Sequence, residues 1–186
     1  MSRFPKNIDF EVIDLLDNLS ESEGIAIPQG GGEDEFKDIA TYMLVEDIAE
    51  LAVWVSISTG PIPISQPLMG FSVDQNQNDS NHYKNVLSTY PEWRRRKWVP
   101  IAGDGCGNYY LYPLMNDFNN RRPIFLVDVS KSTITPYCAV ASHLFHFLVR
   151  LLESELNRED YAFTRDKVLR QDVKIQQISS LAMPWD

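Results

Sequence analysis

Apolar residues recur at helical spacing near the start of the chain. Ile8, Val12, Leu15, Leu16 and Leu19 fall on one face of residues 8–19, which predicts an amphipathic helix. Residues 20–34, rich in Ser, Glu and Gly and carrying Gly30, Gly31 and Gly32, read as a loop. Phe36, Ile39, Ala40, Met43, Leu44, Ile48 and Leu51 predict a second helix over residues 35–52. Residues 53–57 have strand composition, and Thr59-Gly60-Pro61 ends the run. The proline-rich stretch that follows suits irregular or edge structure, because proline offers no N–H to a ladder. A polar loop over 74–82 leads to a short helix, Tyr83–Tyr90, closed by Pro91.

From Trp98 the period changes. Four short apolar segments, beginning at Trp98, Asn108, Pro123 and Ile134, are separated by turn residues and predict a strand meander. A helix then runs from Ser142, a favourable N-cap, to about Leu156. Leu144, Phe147, Leu148, Leu151 and Leu152 form its apolar face, and His146, Arg150 and Glu153 its solvated one. Residues 157–186 are charged and only weakly periodic, and read either as a further helix, with Tyr161, Val168 and Leu169 as its best apolar anchors, or as a mobile C-terminal extension. The expected class is α+β: an antiparallel or mixed β meander packed against helices, one domain over residues 1–186 with its core at about 98–156.

Composition limits the function classes. Of the 186 residues, 44% are hydrophobic, which is enough for a core. No stretch approaches the ~20 apolar residues of a membrane span, and no apolar leader is visible. Two cysteines, Cys106 and Cys138, make neither a disulfide framework nor a zinc site. The expectation is a cytoplasmic protein. Residues 1–50 hold 13 acidic and 3 basic side chains, against 13 and 14 in the remainder, so the net charge of −9 belongs to the first segment. An acidic segment repels nucleic acid and speeds encounter with a basic protein.

Gly103, Asp104, Gly105, Cys106, Gly107 and Asn108 sit between two β-rich runs and read as a hairpin turn. Phosphate cradling needs a following helix N-terminus, which is missing here. His143 and His146 are three apart without a third ligand, so a solvated helix face outweighs a metal site. The run Trp93-Arg94-Arg95-Arg96-Lys97-Trp98 is compatible with nucleic acid, but a turn or helix end with Arg stacked on Trp fits an acidic chain better. No nucleophile motif or acid–base pair rises above background.

In order, the segments from Trp98 to Glu155 resemble the SUKH superfamily, the Smi/Knr-type domain. The residues that carry the resemblance are Val99-Pro100-Ile101-Ala102-Gly103-Asp104-Gly105-Cys106-Gly107, Asn108-Tyr109-Tyr110-Leu111-Tyr112, Pro123-Ile124-Phe125-Leu126-Val127-Asp128, and Ala139-Val140-Ala141-Ser142 with Leu144, Phe147 and Leu148. They cover about a third of the chain, and residues 1–90 diverge from the family pattern. The resemblance implies a non-enzymatic module without a cofactor. Bacterial members are immunity proteins that bind and neutralise toxins, often nucleases, and fungal members are linked to regulation of cell-wall synthesis. The expectation is therefore an immunity protein that occludes a basic toxin. Glu33, Asp34, Glu35, Asp38, Glu46, Asp47, Glu50, Asp104, Tyr109 and Tyr112 are the candidate contacts, and Gly103, Gly105 and Gly107 form a structural turn. A regulatory scaffold module is the alternative, and a small-ligand binder using the glycine turn with Asp104, Tyr109 and Tyr112 is a third reading.

Overall fold

The computed structural model describes residues 10–23, 41–43, 69–70, 82–103, 106–115, 118, 121–159 and 161–178. Helix α1 (Phe10–Glu23) buries Val12, Leu16 and Leu19, the spacing read from the sequence. Strand β1 (Met69–Gly70) is followed by α2 (His82–Thr89) and α3 (Pro91–Arg96). The meander then runs through β2 (Trp98–Gly103), β3 (Tyr109–Pro113), β4 (Ile124–Val127) and β5 (Cys138–Ala141). Helix α4 (Leu144–Leu156), helix α5 (Arg165–Gln171) and a 3-10 turn (Val173–Gln177) complete the described chain. The predicted second helix over 35–52 is represented by residues 41–43, which are helical. The rest of it, and the strand predicted over 53–57, lie outside the described residues.

The described strands form one sheet in the order β1-β2-β3-β4-β5, antiparallel throughout, as the α+β meander expectation allows. Pro100 fits an inner strand because β1 covers only Ala102 and Gly103 of β2. At Pro100 no described strand asks that edge for an N–H. The β2–β3 register slips between Pro100 and Ala102, a local bulge that adds twist to the hairpin.

Both faces of the sheet are covered. Side chains alternate across a strand, and β3 shows the consequence. Tyr109 turns to α2 and α3, where its ring lies 5.5 Å from Trp93 and 5.8 Å from Tyr90. Tyr110 turns the other way, 5.4 Å from both Phe147 of α4 and Phe163. Phe147 and Phe163 stack at 4.9 Å with 9° between their planes. Trp98 and Phe118 close the first side over Phe125, at 4.8 and 5.3 Å. Trp93, which the sequence reading placed in a solvated basic run, is fully buried; its indole N–H donates to the Thr133 carbonyl at 2.5 Å.

Two helix features depart from expectation. The N-cap of α4 is His143, not Ser142: its ring nitrogen accepts the His146 N–H at 3.4 Å. Ser142 lies in the bend between β5 and α4, and its N–H is used elsewhere. In the C-terminal segment Val168 is buried and Leu169 partly so, as anchors should be, but Tyr161 is 66% exposed and anchors nothing. Ala162 and Phe163 go inward in its place: Phe163 packs under Tyr110, and the Ala162 carbonyl accepts from buried Arg150.

Truncating the central aromatic gives the expected measure of this packing. Phe147→Ala should lower unfolding free energy by about 3–5 kcal/mol in urea titration, the range for emptying a buried Phe site. Tyr161→Ala should change it by less than about 0.5 kcal/mol, as at exposed positions.

Candidate functional site

Two places on the described surface combine chemistry with a fixed geometry. The first is the end of the sheet where the β2–β3 turn meets the loop between β4 and β5. Gly107 takes φ +96°, which favours glycine, and so turns the chain into β3. Asn108 Oδ1 then accepts the Val129 N–H at 3.2 Å, tying the turn to the β4–β5 loop. Inside that loop Asp128 closes a side-chain turn, accepting from Ser130 Oγ at 2.6 Å and from Ser130 N at 3.1 Å. The Ser130 hydroxyl, followed by Lys131, holds the Asp128 carboxyl below its usual range. Ser132 Oγ accepts the N–H groups of Ile134 and Thr135. Held this way, the loop presents Ile134 at 48% and Tyr137 at 41% exposure, with the Lys131 ammonium 4.1 Å from the Tyr137 ring.

The contact residues expected from the sequence distribute unevenly around this end. Tyr109 is half-buried in the Tyr90–Trp93 cluster. Tyr112 is fully buried and cannot touch a partner or ligand, which corrects both readings that used it: it is the second residue after Tyr110 and shares its inward face. Gly103 is half-buried, with the Asn108 carbonyl 3.5 Å from where a side chain would begin. Asp104, Gly105, Glu33, Asp34, Glu35, Asp38, Glu46, Asp47 and Glu50 lie outside the described residues. The sequence reading missed Ile134 and Tyr137; the signal available was an apolar pair in a loop of Ser, Thr and Pro.

The basic run at α3 is engaged within the chain. Arg94 donates to the Tyr42 carbonyl at 3.1 Å and lies 4.2 Å from the Tyr42 ring; Lys97 donates to the Met43 carbonyl; Arg96 stacks 4.9 Å from the Trp98 ring. Arg94 and Lys97 thus tie residues 42 and 43 to α3 and its C-cap, and Arg96 is held on Trp98, which leaves less of the run to meet phosphate.

The second place is a cleft of about 180 Å³ between α1, α4 and α5. Glu11, Val140, His146, Val149, Arg150, Glu153, Val168, Gln171 and Asp172 line it. The face of α4 read as solvated is thus partly covered. Arg150 is buried; its Nε donates to the Ala162 carbonyl at 2.5 Å, and its guanidinium pairs with Glu153 at 3.3 Å and with Glu159. Burial lowers the Arg150 pKa, and Glu153 opposes the shift. Asp172, with its side chain 4% exposed, accepts the Ser142 N–H at 2.5 Å and pairs with His146 Nδ1 at 2.9 Å.

Ser142, His146 and Asp172 bring together the residue types of a hydrolytic triad without its geometry. A triad needs the carboxylate on one ring nitrogen and the hydroxyl on the other. Here Ser142 Oγ, at 3.4 Å, and Asp172 Oδ2 both approach Nδ1. Proton relay from Ser142 therefore has no path through this ring. Among the described residues no group of three or more His, Cys, Asp or Glu is placed to hold a metal ion, and no helix is long and apolar enough to cross a membrane. In comparisons with known proteins, no family model, no curated protein and no solved structure matches the chain.

The cysteines differ in a way that labelling reads directly. Cys138 is buried in β5, and desolvation pushes its thiol pKa up to about 12; Cys106 is exposed at the turn. One equivalent of a thiol reagent should react with the native protein at pH 8, at Cys106, and the second only after denaturation. Ser130→Ala should move the Asp128 carboxyl titration upward, followed by NMR of the side-chain carbon, because the hydroxyl that favours the charged form is gone.

Proposed function

We propose that the chain is a protein-binding module of the SUKH type, an immunity protein that neutralises a basic, nuclease-class toxin by occluding it. One observation carries the reading: the sheet end formed by the Gly107 turn and residues 128–137 is fastened by its own hydrogen bonds and displays Ile134 and Tyr137. A pre-ordered loop with exposed aromatic and aliphatic side chains loses little entropy on docking, and such side chains anchor protein interfaces. Support also comes from the resemblance, whose quoted segments occupy β2, the turn, β3, β4 and the β5–α4 junction in order. The acidic N-terminal segment adds electrostatic steering toward a basic surface.

In this reading the contact set keeps Tyr109, loses Tyr112, and gains Ile134 and Tyr137. The acids Glu33, Asp34, Glu35 and Asp38 act mainly on the rate of encounter. No cofactor enters, and the mechanism is stoichiometric.

The test is association with a basic toxin encoded beside the gene, followed by surface binding kinetics. Ile134→Asp and Tyr137→Ala should each weaken the complex about tenfold or more, through faster dissociation. Joint reversal of Glu33, Asp34, Glu35 and Asp38 to Lys should slow association and flatten its salt dependence. Unchanged kinetics in both sets would contradict the proposal.

A further inference from the structure

The cleft between α1, α4 and α5 has a composition that selects a ligand. Its walls carry three carboxylates, Glu11, Glu153 and Asp172, against one guanidinium, Arg150. That guanidinium is already occupied by Glu153, Glu159 and the Ala162 carbonyl. Three valines, Val140, Val149 and Val168, supply apolar surface between the charges. At about 180 Å³ the space is below the roughly 300–1,000 Å³ of small-molecule pockets, and it suits a single side chain.

Asp172 adds an independent sign. Its side chain is 4% exposed and lines the cleft, and while Oδ2 serves Ser142 and His146, Oδ1 is buried with no hydrogen-bond partner among the described residues. A buried carboxylate oxygen without a donor is costly, and a ligand that brings an N–H relieves it. His146 lines the same cleft: its side chain is 35% exposed, with Nδ1 2.9 Å from Asp172 Oδ2.

We propose that this cleft binds an organic cation on a short apolar stem, the head of an arginine or lysine side chain presented by a protein partner. The stem lies along the valines, and the cationic nitrogen sits among Glu11, Asp172 and His146. The inference rests on the reading of the protein as a binder of a basic partner, and it adds a specific socket to that reading, away from Ile134 and Tyr137.

The experiment uses the full chain and small probes: Nα-acetyl-arginine methylamide and Nα-acetyl-lysine methylamide, with the citrulline and norleucine analogues as uncharged controls. Side-chain NMR signals of His146 report occupancy. Saturable shifts with the cationic probes, absent with the controls, are expected. Glu11→Gln, an exposed change that leaves the core intact, should weaken probe binding about two- to fivefold. Asp172→Asn should abolish it, with circular dichroism to check folding; if that variant unfolds, Glu11→Gln decides. Equal shifts from the citrulline analogue, no saturable shift with any probe, or no effect of Glu11→Gln would overturn the socket. If the toxin complex still forms while the probes fail to bind, the socket falls and the proposed function stands. If the probes bind and no basic partner does, the socket is a free-cation site and the proposed function falls.

Discussion

Tyr109 and Tyr110 are neighbours in β3 and point to opposite sides of the sheet, one into Trp93 and Tyr90, the other into Phe147 and Phe163. Everything else follows from that double burial. A sheet packed on both faces offers a partner neither face, so contact chemistry is left to the ends of the strands and to the helices that cover them. The aromatic layer under α2 and α3 fixes the first covering, and the Phe147–Phe163 stack fixes the second. The loop ends can then be shaped by polar hydrogen bonds without endangering the core.

Asp172 joins the second covering to the sheet. Asp172 stands between α5 and the 3-10 turn, its backbone N–H donating to the Val168 carbonyl, and its buried carboxylate reaches the Ser142 N–H where the chain leaves β5. Among the described strands β5 lies at the edge, and exposed edges invite unwanted pairing. The same carboxylate orients His146. A structural fastener and a polar cleft thus share one side chain.

Much of the architecture was legible in the chain. Alternating aromatic runs broken by glycine, asparagine and proline announce a meander, and the Leu144–Leu152 stripe announces its covering helix, since both patterns reflect local burial. The site was less legible, because its geometry depends on long-range partners. Tyr112 looked like a turn-proximal contact, but strand alternation sends it inward with Tyr110. Ser142 looked like a cap, but its hydroxyl lies 3.4 Å from the His146 ring and the helix begins one residue later, where the His143 ring accepts the His146 N–H. Arg150 looked solvated until the turn after α4 brought Glu159 and Ala162 against it. Ile134 and Tyr137 carry no motif; only the folded loop lifts them into view.

Native-state hydrogen exchange at single-residue resolution tests the double burial and its fastener most directly. The amides shared by β2, β3 and β4, together with that of Ser142, should exchange only through global unfolding, with the exposed amides of the β4–β5 loop opening at much lower free energy. If β3 exchanged well before the global event, or Ser142 exchanged as fast as the loop, the sheet would have an open face or a loose edge and the account would fail.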